Sequence, residues 1–255
     1  MTTPTTATRV FFSFPSVTDP ARHPDYNDWH QLDHRPQNLA LPGVLHGDRW
    51  VRSPECAALG SAPDPVLARA HYVAMYWFAE PADASIREWQ ALADTTIQQG
   101  RRQDLRWTTR PLMGFFRPIQ GFAHPRVRIT PDALPFRPNR GVYITVTEVD
   151  SPDGPDAAEL FDWYARTRIP QVLAVDGVAG GWIFRSEDVT TEADDGTRTP
   201  VTSTLRITLY YLDGDPAEVT RRIDALEPLP HNDIERPLLS GPARTIEPWQ
   251  WTWFE

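Results

Sequence analysis

The feature that most constrains the fold of this 255-residue chain is an internal repeat. Residues 26–51 align without a gap to residues 160–185, an offset of 134, and nine of these twenty-six positions are identical. The identical residues of the first copy are Asp28, Trp29, Pro36, Gln37, Leu39, Ala40, Gly43, Val44 and Gly47. The same offset relates the apolar segment 73–78 to 207–212. A single register across such distant segments predicts two tandem copies of one folding unit.

Both copies show the same order of predicted elements. β-Branched and aromatic runs predict strands at 9–14, 44–51, 71–78 and 112–117, and again at 142–149, 178–184, 205–212 and 246–254. Helical spacing of apolar residues predicts helices at 26–41, around Trp89, at 157–175 and after the capping sequence Asp215–Pro216. The resulting order, β-α-β-β-α-β in each copy, is that of the ferredoxin-like fold.

One ferredoxin-like unit carries helices on one sheet face and leaves the other face bare. Two units packed sheet against sheet would cover both bare faces. We therefore predict an α+β fold in which two tandem ferredoxin-like repeats, 8–117 and 141–255, form a dimeric α/β-barrel within one chain. The proline-rich segment 118–140 is predicted to be the linker. This pseudo-dimer leaves a further homodimer open.

Composition excludes several classes of function. All 25 basic residues are arginine, so Schiff-base chemistry on lysine and a P-loop lysine are excluded. The 34 acidic residues give a net charge of −9, which disfavours nucleic acid as a partner. The single Cys56 cannot form an internal disulfide. No apolar run approaches the ~20 residues of a membrane span, and no signal sequence precedes the first strand, so we expect a cytoplasmic protein without a membrane partner.

The first copy also carries a motif, W-x4-H-x-P-x5-P-G followed by a strand, in Trp29, His34, Pro36 and Pro42–Gly43. This motif resembles that of EthD-type members of the dimeric α/β-barrel superfamily. The resemblance implies a pocket between the helices and the concave sheet face of each unit, with the helical histidine pointing into it. The superfamily includes cofactor-free cyclases, isomerases and lyases, quinol-type monooxygenases and haem enzymes, so the fold indicates the site better than the reaction.

Three residues are candidates for catalysis. His34 has an ordinary pKa near ~6.5 and could act as a general acid or base. Tyr76 and Arg49 are candidates to stabilise a developing enolate or phenolate. The structural alternatives are a histidine that caps its helix and a tyrosine that belongs to the sheet core.

The candidate substrate-binding residues are His30, Trp50, Trp77, Phe12, Arg168, Tyr164 and Tyr210. The second copy replaces His34 with Arg168 and His30 with Tyr164. We therefore predict one working site, with the second copy kept for packing or for binding an anionic group. Ten tryptophans favour a small hydrophobic or aromatic metabolite as the ligand. His30 and His34 lie one helical turn apart but lack the glutamate of helical metal motifs, so neither a metal nor another cofactor is predicted.

These observations predict a cofactor-independent enzyme that performs acid–base chemistry on a hydrophobic carbonyl or phenolic metabolite. Cyclase, dehydratase, isomerase and lyase reactions all fit this description. A non-catalytic protein that binds such a metabolite would present the same pocket. A haem- or oxygen-using member of the superfamily is the third alternative, with His71, His124 and His231 as the candidate axial ligands.

Overall fold

The computed structural model describes residues 7–101, 106–193, 196–201, 204–227, 233–247 and 251–254. Its strands are β1 Arg9–Val17, β2 Val44–Val51, β3 Tyr72–Phe78, β4 Thr108–Ala123, β5 Gly141–Val149, β6 Val178–Glu192, β7 Arg198–Val201, β8 Leu205–Leu212 and β9 Glu235–Thr245. Its helices are α1 His23–Trp29, α2 Arg35–Leu39, α3 Pro54–Leu59, α4 Ala82–Gln98, α5 Pro155–Trp163, α6 Ile169–Leu173 and α7 Pro216–Asp224. Two π-helical turns, His30–His34 and Tyr164–Arg168, join α1 to α2 and α5 to α6.

Eight of these strands close into one barrel in the order β4-β1-β3-β2-β9-β5-β8-β6, because β6 also pairs with β4. The first half (β1–β4 and α1–α4) and the second half (β5–β9 and α5–α7) meet along two antiparallel seams. The β4–β6 seam runs from the pair Leu112/Thr191 to the pair Ala123/Gly180, whereas β2 and β9 pair only briefly. This arrangement confirms the predicted dimeric α/β-barrel within one chain.

The barrel interior is filled by one hydrophobic cluster drawn from both halves. Because side chains alternate along a strand, β1 sends Val10, Phe12 and Phe14 into the barrel, while Phe11 packs on the helix-facing side. The interior also holds Trp50, Met75, Trp77, Phe116, Phe184, Ile207, Tyr211 and Leu239. The two halves of the barrel thus bury each other's helix-free sheet faces, as predicted for two packed ferredoxin-like units.

The two π-helical turns repeat the sequence offset of 134, since Tyr164–Arg168 stands where His30–His34 stands in the first half. In each turn a backbone N–H bonds to the carbonyl five residues back. The repeated prolines Pro36 and Pro170 follow directly. A proline lacks an N–H and its ring crowds the carbonyl four residues back, so the helix widens just ahead of it.

Several predicted strands differ from the structure, among them the strand predicted at 178–184, which is β6 and extends to Glu192. The last strand was predicted at 246–254, but β9 is Glu235–Thr245 and pairs along the whole of β5. Three aromatic residues of the predicted strand, Trp251, Trp253 and Phe254, pack instead against a hydrophobic cluster that includes Tyr26 and Trp29 of α1. The aromatic residues of 246–254 fit the pattern of a strand, but these three pack through their side chains and do not pair with the sheet.

The strand predicted at 112–117 extends further at both ends, to Thr108–Ala123. Residues 118–123, within the segment predicted as linker, pair with β6. Two short 3-10 turns, Pro125–Val127 and Pro131–Phe136, follow before β5. Across the described ranges, no helix combines the length and the apolar content that a bilayer crossing needs.

Candidate functional site

A cavity of about 580 Å³ lies on the helix-facing side of the first-half sheet. The helical segment 23–39 and α4 form one wall, and β1, β3 and β4 form the opposite wall. Six aromatic residues line it, Phe11, Tyr26, Trp29, Tyr76, Trp89 and Phe115. Such an apolar enclosure with a few convergent polar groups is typical of small-molecule sites.

His34 lines this cavity from the π-helical turn. Its ring stacks on Trp29, with centroids 4.6 Å apart and planes 18° apart. The amide nitrogen of Asn38 lies 3.2 Å from Nε2 of His34. The stack and the Asn38 contact thus hold the plane of this imidazole on the cavity wall.

Tyr76 lines the sheet side of the cavity and is only 2% exposed. Burial raises its pKa to about 12, so the phenol stays protonated and able to donate. Its hydroxyl faces the Asn38 amide without a hydrogen bond of good geometry. The ring lies over Gly47, where a Cβ atom would approach Tyr76 Cδ1 to 2.4 Å. The repeated glycine at this position therefore makes room for the tyrosine ring.

His30 also lines the cavity, with its ring centroid 5.1 Å from that of His34. Burial, together with the charge of Arg49, lowers its pKa well below the ordinary range. His30 is therefore neutral near pH 7. His46, the remaining histidine that could join His30 and His34 in a metal site, lies elsewhere, beside Phe136. Within the ranges that the structure describes, no three His, Cys, Asp or Glu side chains come together to hold a metal.

Arg49 lies behind the cavity wall and is 2% exposed. Its guanidinium carbon is 5.2 Å from the ring centroid of Tyr26 and 4.9 Å from that of Tyr72. Nη2 donates to Asn27 Oδ1 at 2.8 Å. Arg49 is therefore not a lining residue of the cavity. Its positive charge acts on the cavity electrostatically, across the Tyr26 ring.

The second half also contributes to this cavity. The hairpin of β6 and β7 reaches over its mouth and places Asp188, Thr190 and Arg198 among the lining residues. Close approach of the hairpin depends on Gly114 of β4, where a Cβ atom would lie 2.2 Å from the carbonyl oxygen of Asp188. The site is thus built from both halves of the barrel.

The second-half candidates cluster together but line no part of this cavity. The Tyr164 hydroxyl donates to Glu235, and Arg168 donates to the carbonyl of Glu227 at 3.1 Å. Tyr210 packs against Phe122, with ring centroids 5.4 Å apart. Phe122 thus fills space beside Tyr210, whereas the corresponding Tyr76 faces a cavity.

The remaining candidates, Phe12, Trp50 and Trp77, lie in the barrel interior. They are at most 4% exposed and do not line the cavity. Of the candidate axial ligands, His71 accepts from the Val17 amide and His124 from the Arg126 amide, both through Nδ1. His231 lies outside the described residues.

Sequence reasoning passed over three residues that shape the site: Asn38, Trp89 and Arg110. Asn38 and Trp89 could have been found, because Asn38 lies one turn after His34 and Trp89 lies on the apolar face of its helix. Arg110 lies before the predicted strand 112–117, so no pattern placed it on a wall. It lines the cavity beside Tyr26.

Comparison with known proteins gives similarities through structure only, since no model of a protein family and no curated protein sequence matches the chain. An anthrone oxidase-like protein is 12% identical, with a TM-score of 0.50 over 94% of this chain and 92% of that chain. A chlorite dismutase-like protein is 12% identical, with a TM-score of 0.50 over 95% and 96%. A monooxygenase-like protein from Lactobacillus acidophilus is 10% identical, with a TM-score of 0.47 over 94% and 100%. At this identity the similarity to the first two structures extends to the fold alone.

Proposed function

We propose that the chain is a cofactor-independent enzyme, EthD-like within its superfamily, that performs acid–base chemistry on a hydrophobic carbonyl or phenolic metabolite. The reaction is of the cyclase, dehydratase, isomerase or lyase type. One observation carries the proposal: an oriented histidine, His34, and a protonated phenol, Tyr76, line the same aromatic cavity on either side of Asn38. A proton donor and a proton acceptor around one cavity are the minimum for enolisation.

Each group has a distinct role in this proposal. His34 moves the proton, because its ring is held by the Trp29 stack and by Asn38. Tyr76 donates to the oxygen on which negative charge develops. The aromatic walls position the rings of the substrate and exclude water, which strengthens both interactions.

Enolisation can be tested before the natural substrate is known. The purified protein is incubated in D₂O with two enolisable aromatic ketones, 2-tetralone and anthrone. Deuterium uptake at the carbon that loses a proton on enolisation, C1 of 2-tetralone and C10 of anthrone, is followed by NMR. We expect the protein to accelerate the exchange above the buffer rate. Tyr76→Phe should slow the exchange, because the ring is kept while the donor to the oxyanion is lost, and the matched control Tyr210→Phe should not.

The same experiment distinguishes the two alternatives, a non-catalytic binding protein and an oxygen-using enzyme. Saturable binding of both ketones without faster exchange would indicate a carrier and would contradict the enzyme. Oxygen consumption that depends on the protein and on anthrone would indicate an oxygen-using member. A protein that neither binds the ketones nor exchanges their protons would contradict the assigned substrate class.

A further inference from the structure

Arg49 brings to the cavity a positive charge that the described protein groups do not neutralise. Only Nη2 of its guanidinium makes a hydrogen bond, to Asn27, while Nε and Nη1 have no hydrogen-bond partner. The side chains that act on it electrostatically are Tyr26, Tyr72, Tyr76 and Arg35, and none of these is a carboxylate. A buried ion without a counter-charge opposes folding, so such a cation requires an explanation.

The neighbouring titratable groups cannot supply the missing negative charge. Burial raises the pKa of Tyr26 and of Tyr76, so both phenols stay neutral. His30 is neutral as well, because burial lowers its pKa. Asp48 directly precedes Arg49 in β2, but its carboxylate lies 3.7 Å from Arg35, and one of its oxygens accepts from Asn139 at 3.4 Å.

The second half solves the same problem with a carboxylate. Arg206 is likewise buried, 4.2 Å from the ring centroid of Phe161 and 4.8 Å from that of Tyr164. There the Tyr164 hydroxyl donates to Glu235, whose charge acts on Arg206. Each half thus holds one buried arginine, at different positions of the repeat, and the half without the carboxylate is the one that has the cavity.

A second arginine, Arg110, lines the cavity directly on the side of Tyr26. The carboxylates among the lining residues, Asp94 and Asp188, are both exposed, so solvent screens their charges. The third lining arginine, Arg198, is paired with Glu192 at 3.0 Å. A ligand in the cavity would therefore meet the charge of Arg49 through the Tyr26 ring and could contact Arg110 directly.

We propose that the ligand of this cavity is an aromatic anion, a carboxylate or an ionised phenol, which supplies the counter-charge of Arg49. Arg110 contacts the anionic group, and Asn27 is the positioning residue that holds the Arg49 guanidinium beside the cavity wall. This inference rests on the proposed function, because it takes the same cavity as the substrate site and narrows the class of substrate.

Three ligands of one ring size and different charge test the proposal: 2-naphthoate, 2-naphthalenemethanol and 2-naphthylmethylammonium. Their binding is measured by calorimetry at low salt. We expect the anion to bind about 10- to 30-fold more tightly than the alcohol, and the cation to bind most weakly. This is the size of a Coulomb interaction over roughly 8 Å at an effective dielectric constant of about 20.

Asn27→Asp is the sharpest variant, because it puts a carboxylate beside Arg49 with almost no change of shape. It should abolish the preference for the anion while the alcohol still binds. Arg110→Gln should reduce the preference, and Arg49→Met should abolish it. Arg206→Met, the matched change in the second half, should leave the preference unchanged. If circular dichroism shows that Asn27→Asp does not fold, the two arginine variants carry the test.

Each pattern of binding has one meaning. Equal affinity for all three ligands, or tighter binding of the cation, overturns the inference and leaves an aromatic site in place. Failure of all three to bind contradicts the aromatic cavity of the proposed function itself. A preference for the anion that survives in Arg49→Met and in Arg110→Gln would also overturn the assignment.

Discussion

The two halves of the barrel share a backbone and differ in what lies between helix and sheet. In the first half, His34 and Tyr76 face an open cavity. In the second half, the corresponding Arg168 and Tyr210 lie among side chains that bond or pack with one another. The residues repeated between the halves, among them Pro36/Pro170, determine the shape of the helix that carries both sets.

This difference separates residues that build the fold from residues that build the site. The π-helical turn persists in the second half although neither histidine does, so the turn depends on the backbone and the proline. Asn38 has Val172 as its counterpart and Asn27 has Phe161, so the polar contacts of the first half have no equivalent. The proposed function therefore draws on positions at which the two copies differ, His34 and Asn38, and on one position that they share, Tyr76.

The largest expected difference concerns catalysis. His34→Ala should lower the rate of deuterium exchange by ~10²–10⁴-fold, the usual contribution of a general acid–base, with little loss of stability. Arg168→Ala, at the same position of the other half, should leave the rate near that of the wild type. Rates and thermal midpoints are measured together for both variants. An equal loss of rate in both, or a lower midpoint with a normal rate in His34→Ala, would make this histidine structural.

The next difference concerns stability. Trp29 is 8% exposed and packs in a cluster with Tyr26 and Val17, whereas the repeated Trp163 is half-buried. Trp29→Ala should therefore cost ~3–5 kcal/mol of unfolding free energy, and Trp163→Ala less than half as much. Urea unfolding of the two variants measures both costs. Equal losses would show that this position supports the two halves to the same degree.

Much of this architecture could be predicted from the sequence, because the repeat gives the order of the eight barrel strands, although α3 and β7 lie outside its pattern. The sequence could not predict which side chains of each strand enter the barrel and which face the helices. Phe11 and Phe12 are both large and apolar, so alternation along β1 does not say which of them enters the barrel. Phe12 was chosen for the site, and the structure puts Phe11 on the cavity wall. Trp50 and Trp77 are predicted site residues because tryptophan rings can line a cavity, whereas the structure places both in the barrel interior.

The site itself was predictable only where it lies on one element. His34 and its helix carry a motif, and the structure places this residue on the cavity wall. Arg110 and the β6–β7 hairpin reach the cavity through the β4–β6 seam, which joins residues far apart in the chain. No spacing pattern within the sequence predicts a contact between segments that are so far apart in the chain.

The third prediction concerns the stability of the protein in acid, which depends on two buried histidines of the first half. Burial lowers the pKa of His23 and of His71 to about 4, and their rings lie 5.0 Å apart. Between about pH 6.5 and pH 4 the folded state thus binds fewer protons than the unfolded state, so stability falls as the pH falls. The slope should reach about 1.4 kcal/mol per pH unit for each histidine. Urea unfolding at pH 7, 6 and 5 measures it, and His71→Gln should reduce it. A free energy of unfolding that stays constant over this range would contradict the prediction.

The smallest expected effect tests the two buried arginines against each other. Glu235→Gln keeps an acceptor for the Tyr164 hydroxyl and removes only the negative charge near Arg206. Because Glu235 is half-exposed, the loss should be about 1 kcal/mol of unfolding free energy. Addition of 2-naphthoate should stabilise the wild type and the variant equally, since the anion binds only in the first half. If the ligand instead restored the loss caused by Glu235→Gln, the second half would also bind an anion, and the functional asymmetry of the barrel would be wrong.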